Sequence, residues 1–105
     1  MTRPEDELFA KFQRTRDPAA LGRVYDLVAR ELLHVALHLT GRPAEAEDAL
    51  QATFLAAIER AERYDPARPL RPWLLGILAN QVRLARGRGG REPDPDRLAL
   101  SLIHI

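Results

Sequence analysis

Between Asp17-Pro18 and Thr40-Gly41, the apolar residues Leu21, Val24, Val28, Leu32, Val35 and Leu39 recur every three or four positions. An α-helix satisfies that period and a strand cannot. Asp17 is suited to the N-cap because its carboxylate can accept an orphan backbone N–H, and Pro18 at the first helical position gives up no donor the helix needs. Gly41 can take the left-handed conformation that closes a helix. A helix of about five to six turns is therefore bounded at both ends, with Tyr25, Leu27 and Leu33 widening its apolar stripe. No stretch of four or more residues alternates well enough to be a strand, so the predicted fold class is all-α, a compact bundle of about four helices.

The flanking segments supply the other three. Thr2 and Glu5 have capping-box spacing ahead of Leu8, Phe9 and Phe12, which predicts a short first helix to about Thr15. Pro43 opens a third helix to about Arg63, with Leu50, Phe54, Ile58 and Ala61 on its core face. Asp65-Pro66, Arg68-Pro69 and Arg71-Pro72 exclude a continuous helix from Tyr64 to Pro72, because each proline pushes its predecessor toward extended geometry; a stiff, basic loop is expected. A fourth helix runs from Trp73 to about Arg86, with Leu74, Leu75, Leu78 and Val82 on one side. Gly87, Gly89 and Gly90 then open a polar stretch that ends in Asp94-Pro95-Asp96. The domain is placed at 1–91 and the start of a linker at 92–99. The apolar hexapeptide 100–105 is similar to the conceptual translation of a transposon-end sequencing adapter and is read as non-native. The alternative is a natural apolar tail that docks on the domain.

At 105 residues, the chain has room for one small core. The absence of cysteine removes disulfides, thiolate metal sites and cysteine nucleophiles together, which makes the cytoplasm the default location. The longest apolar run, Trp73 to Ala79, falls far short of the ~20 residues a membrane helix needs. No membrane partner is expected. The net charge of +1 conceals a sharp reversal along the chain. Pro43 to Glu59 carries four acids and no base, whereas Arg60 to Arg91 carries eight arginines against Glu62 and Asp65. His34 and His38 have the i, i+4 spacing of a metal pair, but Val35 stands where a metallohydrolase motif would place glutamate, and no metal site is predicted. No Ser/His/Asp arrangement or phosphate-cradling glycine loop is readable. Neither catalysis nor a cofactor is expected.

Two stretches are more specific. The third helix reads Ala46-Glu47-Asp48-Ala49-Leu50-Gln51-Ala52-Thr53-Phe54, and Arg63-Tyr64-Asp65-Pro66-Ala67-Arg68-Pro69 is followed by Pro72-Trp73-Leu74, Ile77 and Asn80. From about Leu8 to Arg91, the sequence resembles region 2 of bacterial RNA polymerase sigma factors of the sigma-70 family, in the extracytoplasmic-function (ECF) group. The pattern there runs A-E-D-x-x-Q-x-x-F, then R-[FY]-D-x-x-R-P, then P-W-L-x-x-I-x-x-N. The resemblance implies a helical domain that docks on the clamp helices of RNA polymerase core and captures the melted minus-ten promoter element, without being an enzyme. It assigns polymerase binding to Glu47, Asp48, Gln51 and Ala52, where Ala52 replaces an acid common in the family. Phe54 fits the core better than direct contact. An acidic helix also complements a basic partner independently of any family.

The resemblance further assigns a flipped non-template base to the Tyr64–Leu70 loop, with Tyr64 and Asp65 in it and Arg63, Arg68 and Arg71 able to meet phosphates on either side. On the fourth helix, Trp73, Gly76, Asn80, Arg83 and Gly87 project within roughly one quadrant at about 100° per residue. Asn80 then lies near the base pocket, unless its amide is satisfied by backbone, and Trp73 is either core or a wall at the duplex junction. Arg83 and Arg86, with Arg88 and Arg91, are expected on the DNA backbone. A full family member carries a helix-turn-helix domain after the linker, and the present chain ends where the linker begins. The rival reading is a small helical interaction module that binds an anti-sigma factor or another protein and touches no DNA.

Overall fold

In the computed structural model, residues 2–88 are described, and the expected linker at 92–99 and hexapeptide at 100–105 lie outside them. Four helices follow in order: α1 (Pro4–Thr15), α2 (Pro18–Thr40), α3 (Pro43–Glu59) and α4 (Leu70–Arg88). A single 3₁₀ turn, Ala61–Arg63, separates α3 from the loop before α4. There is no strand among the described residues, as expected for an all-α chain. None of the described helices is long and apolar enough to cross a membrane.

The long helix α2 forms the spine, packed on by α1, α3 and α4. Its ends are as the sequence dictates. The Asp17 carboxylate accepts the Ala19 N–H at 3.0 Å, and Gly41 closes the helix at φ 70° with its N–H on the Leu37 carbonyl. Val24, Val28, Leu32, Val35 and Leu39 are buried, but Tyr25 and Leu27 are over 40% exposed, so the buried stripe is narrower than expected. Tyr25 keeps one covered side, its ring 5.0 Å from that of Phe54 on α3.

Three boundaries differ from the local reading. The first helix is capped through Arg3, whose N–H meets the Asp6 carboxylate at 3.0 Å; Thr2 instead donates to Glu7. The third helix stops at Glu59, not near Arg63. There the chain tightens into the 3₁₀ turn because the Gln13 amide of α1 takes the Ala61 and Tyr64 carbonyls. The fourth helix starts three residues before Trp73, at Leu70. Pro72 is tolerated because first-turn N–H groups have no intrahelical partner to lose. Leu70, Leu74, Ile77, Leu78 and Val82 are buried, and Leu75 is half-buried.

Candidate polymerase and nucleic-acid interfaces

The outer face of α3 carries Glu47, Asp48 and Gln51 in the open, with Ala52 half-buried beside them. Four residues beyond Gln51, Leu55 is 62% exposed and extends the same stripe. The sequence reading passed over Leu55, because only burial distinguishes an outward leucine from the core series Leu50, Phe54 and Ala61. Phe54 is core, its ring 5.0 Å from that of Tyr25. Between this face and α4 lies a cleft of about 430 Å³ edged by Arg42, Glu45, Asp48, Ala52 and Arg86.

The loop that follows the 3₁₀ turn is held from inside. Tyr64 is buried, and its hydroxyl donates to the Arg68 carbonyl at 2.6 Å. Burial pushes its hydroxyl pKa up to about 12, with the Asp6, Asp65 and Glu5 carboxylates adding to the shift. Asp65 folds the loop on itself by accepting the Ala67 N–H at 2.9 Å, while its carbonyl accepts the Arg68 N–H at 3.0 Å. Asp65, Pro66, Ala67, Arg68 and Pro69 therefore stand exposed above an aromatic floor. That floor is Tyr64, Phe9 and Trp73, with ring centroids 5.3 to 5.5 Å apart. Tyr64 supports the loop and does not offer its ring face to solvent. Trp73 is half-buried in the same cluster, between the two roles the sequence left open.

The arginines divide into two kinds. Arg63, Arg68 and Arg83 are exposed. Arg83 donates to the Asn80 amide oxygen at 2.5 Å, so the partner of that half-buried amide is a guanidinium one turn along, not backbone. Arg71, expected beside phosphate, is held in the fold: its Nε donates to Glu5 at 2.7 Å and its Nη1 to Glu31. Arg86 donates to the Leu39 carbonyl at 2.7 Å, and its Nε is buried without a partner among the described residues. Both serve charges and carbonyls that no local sequence window associates with them. Gly76 is exposed with open space over its Cα, leaving that part of α4 accessible to a close-approaching chain.

His34 and His38 lie on the open side of α2 with ring centroids 4.7 Å apart. Among the described residues, no group of three His, Cys, Asp or Glu side chains could hold a metal.

This small all-α body, with its acidic helical face, braced proline loop and exposed arginines, has recognisable relatives. The profile of sigma-70 region 2 matches residues 24–92, well over half of the chain. The chain belongs to the sigma-70 region 2 family. It is 40% identical over 67 residues to the ECF RNA polymerase sigma factor SigL of Mycobacterium tuberculosis, a stretch covering 63% of this chain and 38% of that protein. It is 52% identical over 40 residues to the RNA polymerase sigma factor CarQ of Myxococcus xanthus, covering 38% and 23% respectively. The chain thus spans under half the length of these sigma factors, and its region 2 match begins inside α2, leaving α1 outside it.

Proposed function

We propose that this region 2 chain acts in transcription initiation: it docks on RNA polymerase core through the α3 face and receives a base of the melted minus-ten non-template strand at the Asp65–Pro69 loop. A sigma factor family is not an enzyme class, and the reading calls for no bond to be made or broken. Glu47, Asp48 and Gln51 lead along α3 to the exposed Leu55, so the face pairs acidic and amide groups with an apolar contact, a composition suited to a basic protein partner. The observation that carries the DNA half is the loop itself. Five consecutive exposed residues, two of them proline and one of them Arg68, stand on a packed aromatic floor beside the exposed guanidinium of Arg63.

Unstacking a base costs a few kcal/mol, and a receptor offsets that best when little of its own freedom is lost on binding. Arg63, Arg68 and Arg83 supply phosphate contacts, which add affinity and salt dependence without sequence information. The test is binding of labelled single-stranded oligonucleotides by the chain bound to polymerase core. Replacing Arg63, Arg68 and Arg83 together by alanine should weaken that binding while core association persists. Unchanged oligonucleotide binding would favour the protein-interaction module, with an anti-sigma factor or another protein as the partner.

A further inference from the structure

We propose that α1 is a splint for the base-receiving loop, with Gln13 and Asp6 as positioning residues that fix its two ends. The inference rests on the reading of that loop given above. Asp6, Phe9 and Gln13 occupy one face of α1 at i, i+3 and i+7. From that face, the Gln13 amide nitrogen donates to the Ala61 carbonyl at 2.8 Å and the Tyr64 carbonyl at 2.7 Å, where the chain leaves the 3₁₀ turn. Asp6, 6% exposed, accepts the Leu70 N–H at 2.8 Å, where the chain enters α4, and the Arg3 N–H at 3.0 Å. One carboxylate thereby starts two helices. Between these two points, Phe9 is fully buried with its ring 5.3 Å from Tyr64 and 5.5 Å from Trp73.

Entry and exit of the loop, and one of the three rings of its floor, are thus set by a helix that lies ahead of the profile match at residues 24–92. The exposed segment has little freedom left to lose when a base arrives, and its selectivity depends on residues that never touch DNA. Gln13 and Asp6 act through Tyr64 and Leu70.

The experiment uses the full chain bound to polymerase core and single-stranded DNA selected by that complex from a random pool. Each position of the selected DNA is replaced in turn by an abasic nucleotide. For the unaltered chain, one position should dominate the loss of affinity. Gln13→Met keeps the side-chain length and helix preference but has no N–H to give, and should cut that discrimination about tenfold, with core affinity nearly unchanged and the fold still cooperative at a melting temperature a few degrees lower. Gln13→Lys, whose ammonium can donate to both carbonyls again, should restore part of it. Gln13→Ala is the second variant and should fall the same way as the methionine. Discrimination retained by both Gln13→Met and Gln13→Ala would overturn the splint while leaving the base-capture reading intact. An unaltered chain indifferent to every abasic position would overturn both.

Discussion

Arg71 and Glu5 lie 66 residues apart in sequence, and the guanidinium Nε donates to the carboxylate at 2.7 Å where Glu5 is only 3% exposed. Glu31 joins from α2, so one arginine compensates two carboxylates at the meeting point of α1, α2 and α4. Removing one partner of a buried pair is far more harmful than the pair is beneficial, because the remaining charge stays desolvated.

Arg71→Ala is therefore expected to destabilise the fold by about 3 kcal/mol in urea denaturation, since it strands Glu5. Arg68→Ala, whose ion pair with Asp65 is exposed, should change stability by less than about 0.5 kcal/mol. Equal effects for the two would refute the distinction between structural and exposed arginines. The same distinction makes Arg71 unsuitable for testing DNA binding, because its loss would disturb the fold first.

Much of the fold was legible locally, and apart from the Arg3 cap of α1 the boundaries that were not share one cause. The Asp17 cap, the Gly41 stop and the Val24 to Leu39 stripe lie in contiguous sequence, and the structure follows them. The end of α3 and the start of α4 are set by Gln13 and Asp6, side chains 48 to 64 residues from the backbone they hold. Nor does any local window reveal the bonds Arg71 and Arg86 make within the fold: their carboxylate and carbonyl partners are 40 to 66 residues distant. Charge along the chain located the basic segment but could not say which of its arginines the fold would use.

Tyr64 predicts a pH response at the alkaline end. Its folded pKa is raised to about 12 from an ordinary value of 10.0, so its contribution is fully present below about pH 10 and lost as pH rises through about 12. Wild type should lose stability across that window, read as a falling urea midpoint, and Tyr64→Phe should lose less over the same range. The phenylalanine variant also starts lower, by about 1 kcal/mol, because the Arg68 carbonyl loses its hydroxyl donor. Parallel pH curves for the two proteins would contradict the assignment.

On the α3 face, Asp48→Lys and Leu55→Ala should each weaken association with polymerase core by about tenfold or more in a pull-down titration. Both side chains are exposed, so thermal midpoints should stay close to wild type. Full retention of core binding by both variants would move the polymerase contact elsewhere.

The exposed arginines should be visible in salt dependence. If Arg68 and Arg83 each neutralise one phosphate of a single strand, Arg68→Ala/Arg83→Ala should reduce the slope of log affinity against log salt by about 1.4. An unchanged slope would place the phosphates elsewhere.

Phe9 heads the fully buried side chains of the molecule, and it belongs to α1. Cutting the chain at residue 24, where the family match begins, would therefore excavate an aromatic-sized void and leave Tyr64 and Trp73 facing water. A phenylalanine removed from a core costs roughly 3–5 kcal/mol, a large share of what so short a polypeptide has in hand. A piece trimmed to the profile match at 24–92 would therefore lack the helix that completes its own core.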